Sequence, residues 1–303
     1  MKKYLLLFIK GIAMGIANII PGVSGGTIAL ITEIYEEFIN SLKSFDLKAL
    51  KMLLSFKIKE FIKYTNFYFL LAVLGGSTFS MISIAKILGG LFKENPISVW
   101  SFFFGLIAAS VYYVGCRVKK WKLGSILFFI IGTGFAISLT FLSSSPVHNE
   151  SLLYVFICGV VGVSGMLIPG LSGSFILILM GTYELLMIES LSNPINNIVI
   201  LSIFILGSIV GLILFSHVIA WFLKYFKDYI LALLTGFILG SLIMIWPWQN
   251  CIKETTNINN TKIICLEYEK YIPELDLSLL PAVLLMILGY LLVMKLETFS
   301  KTD

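Results

Sequence analysis

Long apolar runs, broken at two places by the same short motif, constrain the fold of this chain more than any other feature. Residues 18–27 read NIIPGVSGGT and residues 168–175 read IPGLSGSF, with the two PG-x-SG motifs 148 positions apart. Proline, glycine and serine are poor helix formers, so each motif interrupts a helix within apolar sequence. Backbone that leaves a helix at membrane depth must be buried in protein or line a wet cavity. We therefore expect both motifs to serve a function.

The composition places the chain in a membrane. Hydrophobic residues make up 58% of it, charged residues only 13%, and the mean hydropathy is +0.96. Soluble domains carry about 25% charged residues, and a helix needs about 20 residues to cross a bilayer. Because the apolar runs approach that length, we predict an all-α polytopic membrane protein. These runs lie near residues 4–20, 23–42, 67–90, 97–116, 123–142, 151–168, 171–188, 197–222, 229–247 and 278–296.

Positive charges are sorted to one side of the predicted spans. Sixteen Lys and Arg residues fall in the two terminal segments and in the connections 43–63, 115–122 and 223–228, against four in the other connections. Cytoplasmic loops carry such an excess, so we predict that these segments and both termini are cytoplasmic. Residues 4–42 then begin and end inside, whereas residues 151–189 begin and end outside.

The two halves of the chain show the same order of elements in opposite orientation. The stretch FFFGLIAAS at 102–110 also resembles LLTGFILGS at 233–241. We therefore predict one transmembrane domain, residues 1–303, built as an inverted-topology repeat, which in membrane proteins indicates alternating access around a central site. Its parts are repeat 1 at about 1–142, repeat 2 at about 151–297 and an extracytoplasmic loop at 248–277.

The two hairpins that carry the motifs are predicted to re-enter the membrane without crossing it. The 17 residues of 4–20 reach about 25 Å as a helix, short of the ~30 Å hydrocarbon core. The first bend also lacks the charged residues that mark an aqueous loop. The predicted fold is thus two re-entrant helical hairpins, 4–42 and 151–189, with about six full transmembrane helices.

The hairpin tips are predicted to bind an anion. Each proline stops the first arm, glycines allow close approach of a ligand, and hydroxyls cap the second arm. Free N–H groups and the helix dipole there favour negative charge, with phosphate the natural ligand. A tight turn packed against its neighbours is the alternative. The predicted substrate-binding residues of the tips are Asn18, Pro21, Gly22, Ser24, Gly25, Gly26, Thr27, Pro169, Gly170, Ser172, Gly173 and Ser174.

Three basic residues in or beside the apolar runs are predicted charge partners of the substrate. Lys86 and His217 fall one residue apart in the repeat when Gly75 is matched to Gly207, and Arg117 follows a span directly. Each has an alternative role. Lys86 can snorkel to the interface, His217 can pack between helices, and Arg117 can be a positive-inside anchor.

Three carboxylates near the second arms are candidates for proton coupling. Glu36 and Glu184 follow Tyr35 and Tyr183 at matched positions, and Glu33 lies just before the first of these pairs. A carboxylate that faces a cavity in a membrane protein can carry a proton. The alternative is an interfacial carboxylate outside the hydrocarbon.

Two connecting segments carry weaker signals. Residues 43–63 interleave lysine and apolar positions at helical spacing, which predicts an in-plane amphipathic helix on the anionic cytoplasmic leaflet. Cys251 and Cys265 share the loop 248–277 and can pair if that loop faces an oxidising space. No metal-ligand cluster, nucleotide-binding loop or catalytic carboxylate pair occurs in the sequence, which argues against an ATP-driven pump. We predict no metal, no cofactor and no enzymatic activity.

Both motif regions resemble those of a known family. ANIIPGVSGGTIALITEIYEEFI and GMLIPGLSGSFILILMGTYELL look like the paired signatures of the PopT-type polyprenyl-phosphate transporter family, and the resemblance covers about residues 8–247. It implies a multi-pass protein of the bacterial cytoplasmic membrane. Such a protein translocates the carrier lipid undecaprenyl phosphate for cell-wall and surface-glycan synthesis. The implied partners are this lipid and the bilayer, with no nucleic acid. A homo-oligomer is compatible with the sequence.

Two other functions fit parts of the sequence. A channel or exchanger for a small soluble anion would also use the N-termini of broken helices. A rhomboid-like intramembrane serine protease would pair Ser24 of the GVSG stretch with His217. The motif occurs in both halves, whereas the sequence places one histidine within the apolar runs. This symmetry favours transport over proteolysis.

Overall fold

The computed structural model shows a helical protein with one small β-hairpin. It describes residues 2–20, 23–142, 149, 151–190, 193–256, 263–274, 276, 277 and 279–300, with the backbone alone at 85, 86, 89, 93, 188, 253–256, 263–268 and 296–300. The elements in chain order are α1 (Lys2–Ile19), α2 (Gly25–Ile31), α3 (Tyr35–Lys43), α4 (Leu47–Leu54), α5 (Ile58–Tyr64), α6 (Phe67–Glu94), α7 (Pro96–Cys116), α8 (Leu123–Thr140), α9 (Leu152–Leu167), α10 (Gly173–Leu179), a π-helical segment (Glu184–Ser190), α11 (Ile198–Tyr225), α12 (Lys227–Ser241), β1 (Gln249–Thr256), β2 (Ile263–Lys270) and α13 (Leu279–Ser300).

The long apolar helices agree with a polytopic membrane protein. Within the described residues, four helices are long and apolar enough to cross a membrane: Phe67–Ile84 of α6, and all of α7, α8 and α11. The sequence predicts about six full spans. Of the other two, α12 has only 15 residues, and Leu279–Lys295 of α13 is a shorter apolar helix.

The first helix of each half packs against a long helix of the same half through glycine. α1 packs on α6, and α9 packs on α11. A side chain at Gly76 would collide with the carbonyl oxygen of Phe8, and one at Gly207 would collide with that of Phe156. Small residues allow membrane helices to approach backbone to backbone. The two contacts are equivalent, because Phe8 and Phe156 lie 148 positions apart, the spacing of the two motifs.

The last helix of each half packs on the other half. α8 packs against α12, and α13 packs against α7. Glycine again brings the backbones together, since a side chain at Gly105 would meet the carbonyl of Met286 and one at Gly236 would meet that of Phe129. The two halves thus share a large hydrophobic core, and a smaller separate cluster is formed by Val155, Cys158, Leu177 and Leu186.

Both second arms are broken, which differs from the continuous segments that the sequence predicts at 23–42 and 171–188. α2 ends in a Schellman motif, in which Glu33 is left-handed (φ 64°) and the Ile34 amide donates to the Ala29 carbonyl at 3.0 Å. α10 ends in the same way, with Gly181 at φ 70° and a 3.0 Å bond from the Thr182 amide to the Leu177 carbonyl. Each second arm is therefore one short helix followed by a turn and a second short helical segment.

Two connecting segments are more elaborate than the sequence suggests. The single amphipathic helix predicted at 43–63 is two helices, α4 and α5, because Phe56 between them is left-handed (φ 55°). The loop 248–277 contains the antiparallel pair β1–β2. Cys251 on β1 is disulfide-bonded, and Cys116 and Cys158 are free thiols. The side chain of Cys265 lies outside the described residues.

Candidate functional site

The two hairpin tips lie against each other. The hydroxyl oxygen of Thr27, at the start of α2, accepts a hydrogen bond of 3.1 Å from the amide of Gly170 in the second motif. Ser24 Oγ lies 3.3 Å from the carbonyl oxygen of Ile168. Tyr35, at the start of α3, donates from its hydroxyl to the Leu167 carbonyl at 2.9 Å. The two motifs are therefore in direct contact in the structure.

The backbone amides of the first tip are hydrogen-bonded to side chains of the same hairpin. The Gly25 amide donates to Asn18 Oδ1 at 2.8 Å, and the Gly26 amide donates to Ser24 Oγ at 3.1 Å. Ser24 thus caps α2, and residues 23–31 are all buried. The sequence predicts free N–H groups at this position, whereas Asn18 and Ser24 occupy them. Pro21 and Gly22 of this motif lie outside the described residues.

The second tip is more open. Ser172 makes no capping bond to α10, and its hydroxyl oxygen lies 2.7 Å from that of Ser174. Gly173 and Ser174 are half-buried, in contrast to their buried counterparts in the first tip. The first amides of α10 are therefore not covered by the side chain that would cap them.

The turn that leads into the second tip depends on glycine. Pro169 and Gly170 are buried, and Gly170 has φ 82°. A Cβ atom at Gly170 would lie 2.6 Å from the backbone of Phe237 in α12. Only glycine combines this left-handed backbone with such a close approach. This tip is therefore wedged between α2 and α12.

A charged cluster lies beside the break between α2 and α3. The carboxylate of Glu33 accepts a hydrogen bond of 2.9 Å from the Tyr113 hydroxyl and forms an ion pair with Arg117. The Arg117 guanidinium also lies over the Tyr113 ring, 4.7 Å from its centroid. Nearby, Lys10 Nζ donates to the carbonyl of Thr32 at 2.8 Å. The side chains of Arg117 and Glu33 are 27% and 42% exposed, so a ligand can reach this cluster.

The other two candidate carboxylates differ in their surroundings. Glu36 forms an ion pair with Lys227 at 2.5 Å, and both side chains are half-exposed. Glu184 begins the π-helical segment and is half-buried. These two residues are matched in the sequence, yet the structure gives them different environments.

The predicted intramembrane bases lie on the two matched helices α6 and α11. His217 Nδ1 is 2.8 Å from the Ile213 carbonyl of its own helix, and this hydrogen bond joins it to neither tip. The sequence comparison matches Gly75 to Gly207, whereas the packing contacts match Gly76 to Gly207, one residue later. Positions 86 and 217 then coincide in the predicted repeat. The side chain of Lys86 lies outside the described residues.

The helices α4 and α5 and the turn between them expose apolar side chains. Leu47, Leu54 and Phe56 are 77%, 71% and 87% exposed, which is the surface expected of an amphipathic element on a membrane. Asp46 caps α4. Partial burial raises the pKa of Asp46, but hydrogen bonds from the Ala49 amide, the Tyr64 hydroxyl and the Lys48 amide outweigh this and lower the pKa overall.

Neither of the two cavities described adjoins the tips. The larger, of about 530 Å³, lies between the α6–α7 connection and the start of α13, where Glu94, Trp248 and Tyr271 contribute to its wall. In the part of the chain that the structure describes, no group of three or more His, Cys, Asp or Glu residues could hold a metal ion. The candidate site is therefore the pair of tips, of which the first is closed, and the charged cluster beside them.

Sequence reasoning missed three contributors to this region. Tyr113 lies one helical turn before Arg117, and this spacing alone would have suggested that the two side chains meet. Lys10 lies within the first arm and was detectable as a charge in an apolar run. The bond from Tyr35 to Leu167 joins residues 132 positions apart, and no local pattern indicates it.

Comparison with known proteins identifies relatives of the chain. A family described as undecaprenyl phosphate translocase-like matches residues 14–263. A polyprenyl-phosphate transporter of Vibrio cholerae serotype O1 is 36% identical over 307 residues, covering 99% of this chain and 98% of the relative. A polyprenyl-phosphate transporter of Staphylococcus aureus is 30% identical over 254 residues, covering 79% of this chain and 85% of the relative. No solved structure shows significant similarity to the chain.

Proposed function

Because the chain belongs to the undecaprenyl phosphate translocase-like family, we propose that it translocates undecaprenyl phosphate or a related polyprenyl phosphate. The membrane is the bacterial cytoplasmic membrane, which the protein spans several times. The lipid substrate and the bilayer are its partners. The observation that carries the proposal is the hydrogen bond between Thr27 and Gly170, which brings the two motif tips together.

The chemical problem is to carry a phosphate through hydrocarbon. An isolated charge in a low-dielectric medium is prohibitively costly, so the head group needs polar partners along its path. The isoprenoid tail needs none, since it can stay in the lipid. A small polar site within the helices, open in turn to either leaflet, meets both requirements.

The matched packing of the two halves supports alternating access. α1 on α6 and α9 on α11 make equivalent contacts, and each half lends its last helix to the other. We interpret this arrangement as the inverted-topology repeat, with re-entrant hairpins and both termini in the cytoplasm. Transporters of this kind move their halves about a site at the repeat interface.

The phosphate site is proposed to lie at the tips, with the second tip as its more accessible part. Among the described residues, no side chain caps the first amides of α10, which include those of Gly173 and Ser174. An anion bound there would replace the hydrogen bond between the hydroxyls of Ser172 and Ser174. The amides of Gly25 and Gly26 could bind the phosphate only after their hydrogen bonds to Asn18 and Ser24 break. Lys86, Arg117 and His217 are charge partners in this proposal, and Glu33, Glu36 and Glu184 are candidates for coupling to protons.

Leaflet exchange of labelled lipid in vesicles tests the proposal. Purified protein should exchange undecaprenyl phosphate but not undecaprenol, and Ser172→Ala should reduce the exchange at least several-fold because it removes a polar ligand. Ser83→Ala is the matched control, because Ser83 is an exposed helical serine bonded to the Phe79 carbonyl at 2.6 Å. If the protein accelerates the exchange of both lipids equally over protein-free vesicles, the proposal is refuted. Flux of inorganic phosphate in vesicles that lack polyprenyl lipid would favour the soluble-anion alternative.

A further inference from the structure

The left-handed residue that ends α2 is chemically unexpected. The same position of a Schellman motif is usually glycine, since a Cβ atom is strained there. The second half of the chain follows this rule with Gly181, whereas the first half has Glu33 at the matched position. Residues with strained backbone cluster at functional sites, and of the left-handed residues other than glycine that the structure describes, Glu33 is the one with an ionised side chain. The left-handed backbone at this position therefore indicates a role for the Glu33 carboxylate.

The Glu33 carboxylate binds a set of donors suited to an anion. Arg117 offers a planar fork of N–H groups, which binds carboxylate and phosphate in the same way. The Tyr113 hydroxyl donates a second bond at 2.9 Å, and its ring supports the guanidinium at 4.7 Å. Lys10, bonded to the neighbouring carbonyl of Thr32 at 2.8 Å, adds positive charge.

This cluster occurs in one half only. At the spacing of 131 positions that relates Gly105 to Gly236, Tyr113 corresponds to Met244 and Arg117 to Trp248. The second half therefore has neither the donors nor the carboxylate. Because the two halves otherwise match, we assign this cluster to a step of transport that occurs on its own side of the membrane. The distribution of positive charge predicts that this side is the cytoplasmic one.

We propose that Arg117 and Tyr113 form a binding site for a phosphate monoester head group at the cytoplasmic side, and that the Glu33 carboxylate fills this site when no lipid is bound. This inference rests on the proposed function. A phosphate monoester carries up to two negative charges and three acceptor oxygens, so it can replace one carboxylate at the same donors. Glu33 then acts as an internal competitor, and its release and return accompany lipid entry and departure.

Direct binding to the full-length protein in nanodiscs tests this exchange. Glu33→Gln removes the competing charge and should lower the Kd for undecaprenyl phosphate roughly 5-fold, the upper value for a partly exposed ion pair. Glu33→Gly, which restores the residue of the second half, should do the same. Adding Arg117→Gln to Glu33→Gln should abolish the gain. Glu60→Gln is the matched control, because Glu60 forms an exposed ion pair with Lys57 at 3.5 Å and should leave the Kd unchanged.

The outcomes separate this inference from the proposed function. If the wild type binds the lipid and both Glu33 variants bind it equally or more weakly, the carboxylate is structural and the inference is wrong. If the wild type neither binds nor exchanges the lipid, the proposed function itself fails. Inorganic phosphate is the second probe. A gain for inorganic phosphate with none for the lipid would assign the site to free phosphate and overturn the head-group assignment.

Discussion

Replacing Thr27 by valine tests whether the two tips stabilise each other. Thr27 is fully buried, and its hydroxyl oxygen accepts the 3.1 Å hydrogen bond from the buried Gly170 amide. Valine has nearly the same volume but no acceptor, so the main effect is an unpaired N–H group in the protein interior. An unsatisfied buried donor costs about 1–3 kcal/mol. The unfolding equilibrium constant should therefore rise roughly 5- to 150-fold.

Equilibrium unfolding in mixed micelles of SDS and a mild detergent measures this difference. Thr235→Val is the matched control, because Thr235 is also buried but donates to the Leu231 carbonyl of its own helix at 2.7 Å. That carbonyl keeps its backbone partner in the variant, so the control should be close to neutral. If the two variants agree within about 0.5 kcal/mol, the bond between the tips contributes nothing and the reasoning fails.

Two further substitutions follow from the structure. Gly170→Ala should destabilise the protein by about 1–2 kcal/mol through left-handed strain and by about 1–3 kcal/mol through overpacking against Phe237, measured in the same micelles; a neutral result would contradict the close approach. Asp46→Ala should lower the stability of α4 by about 1 kcal/mol, read from faster hydrogen exchange at the amides of Lys48 and Ala49. Because the pKa of Asp46 is lowered in the folded state, its contribution is present above the ordinary value of about 3.9 and is lost as the pH falls through the folded pKa. If these two amides exchange at the same rate in Asp46→Ala and in the wild type at neutral pH, the prediction for this cap is wrong.

The sequence predicts the long helices well because their signal is local. α6, α7, α8 and α11 each coincide with an apolar run, and the broken helices begin at the duplicated motifs. Serine at Ser24 is a normal helix start, and the structure uses it as one. Hydrophobicity and capping act over a few residues, so both can be read directly.

The breaks and contacts that shape the site could not be read in the same way. Glutamate is a good helix former, so nothing at Glu33 announces a Schellman turn. The bond between Thr27 and Gly170 joins residues 143 positions apart and depends on how the halves pack. The occupied amide of Gly25 depends on Asn18, one helix earlier. These features arise from tertiary packing, to which local patterns are blind.

The ion pair between the halves bears on how readily the protein can change conformation. Glu36 of the first half bonds to Lys227 of the second, and the Lys119 amide donates to Asp228 at 3.2 Å. Separating the halves at this end would break both contacts. Exposed ion pairs contribute only about 0–1 kcal/mol, because water and salt screen them. If the protein alternates between two states, as we propose, contacts this weak bias that equilibrium only slightly, and a phosphate that binds one state several-fold more tightly can offset them.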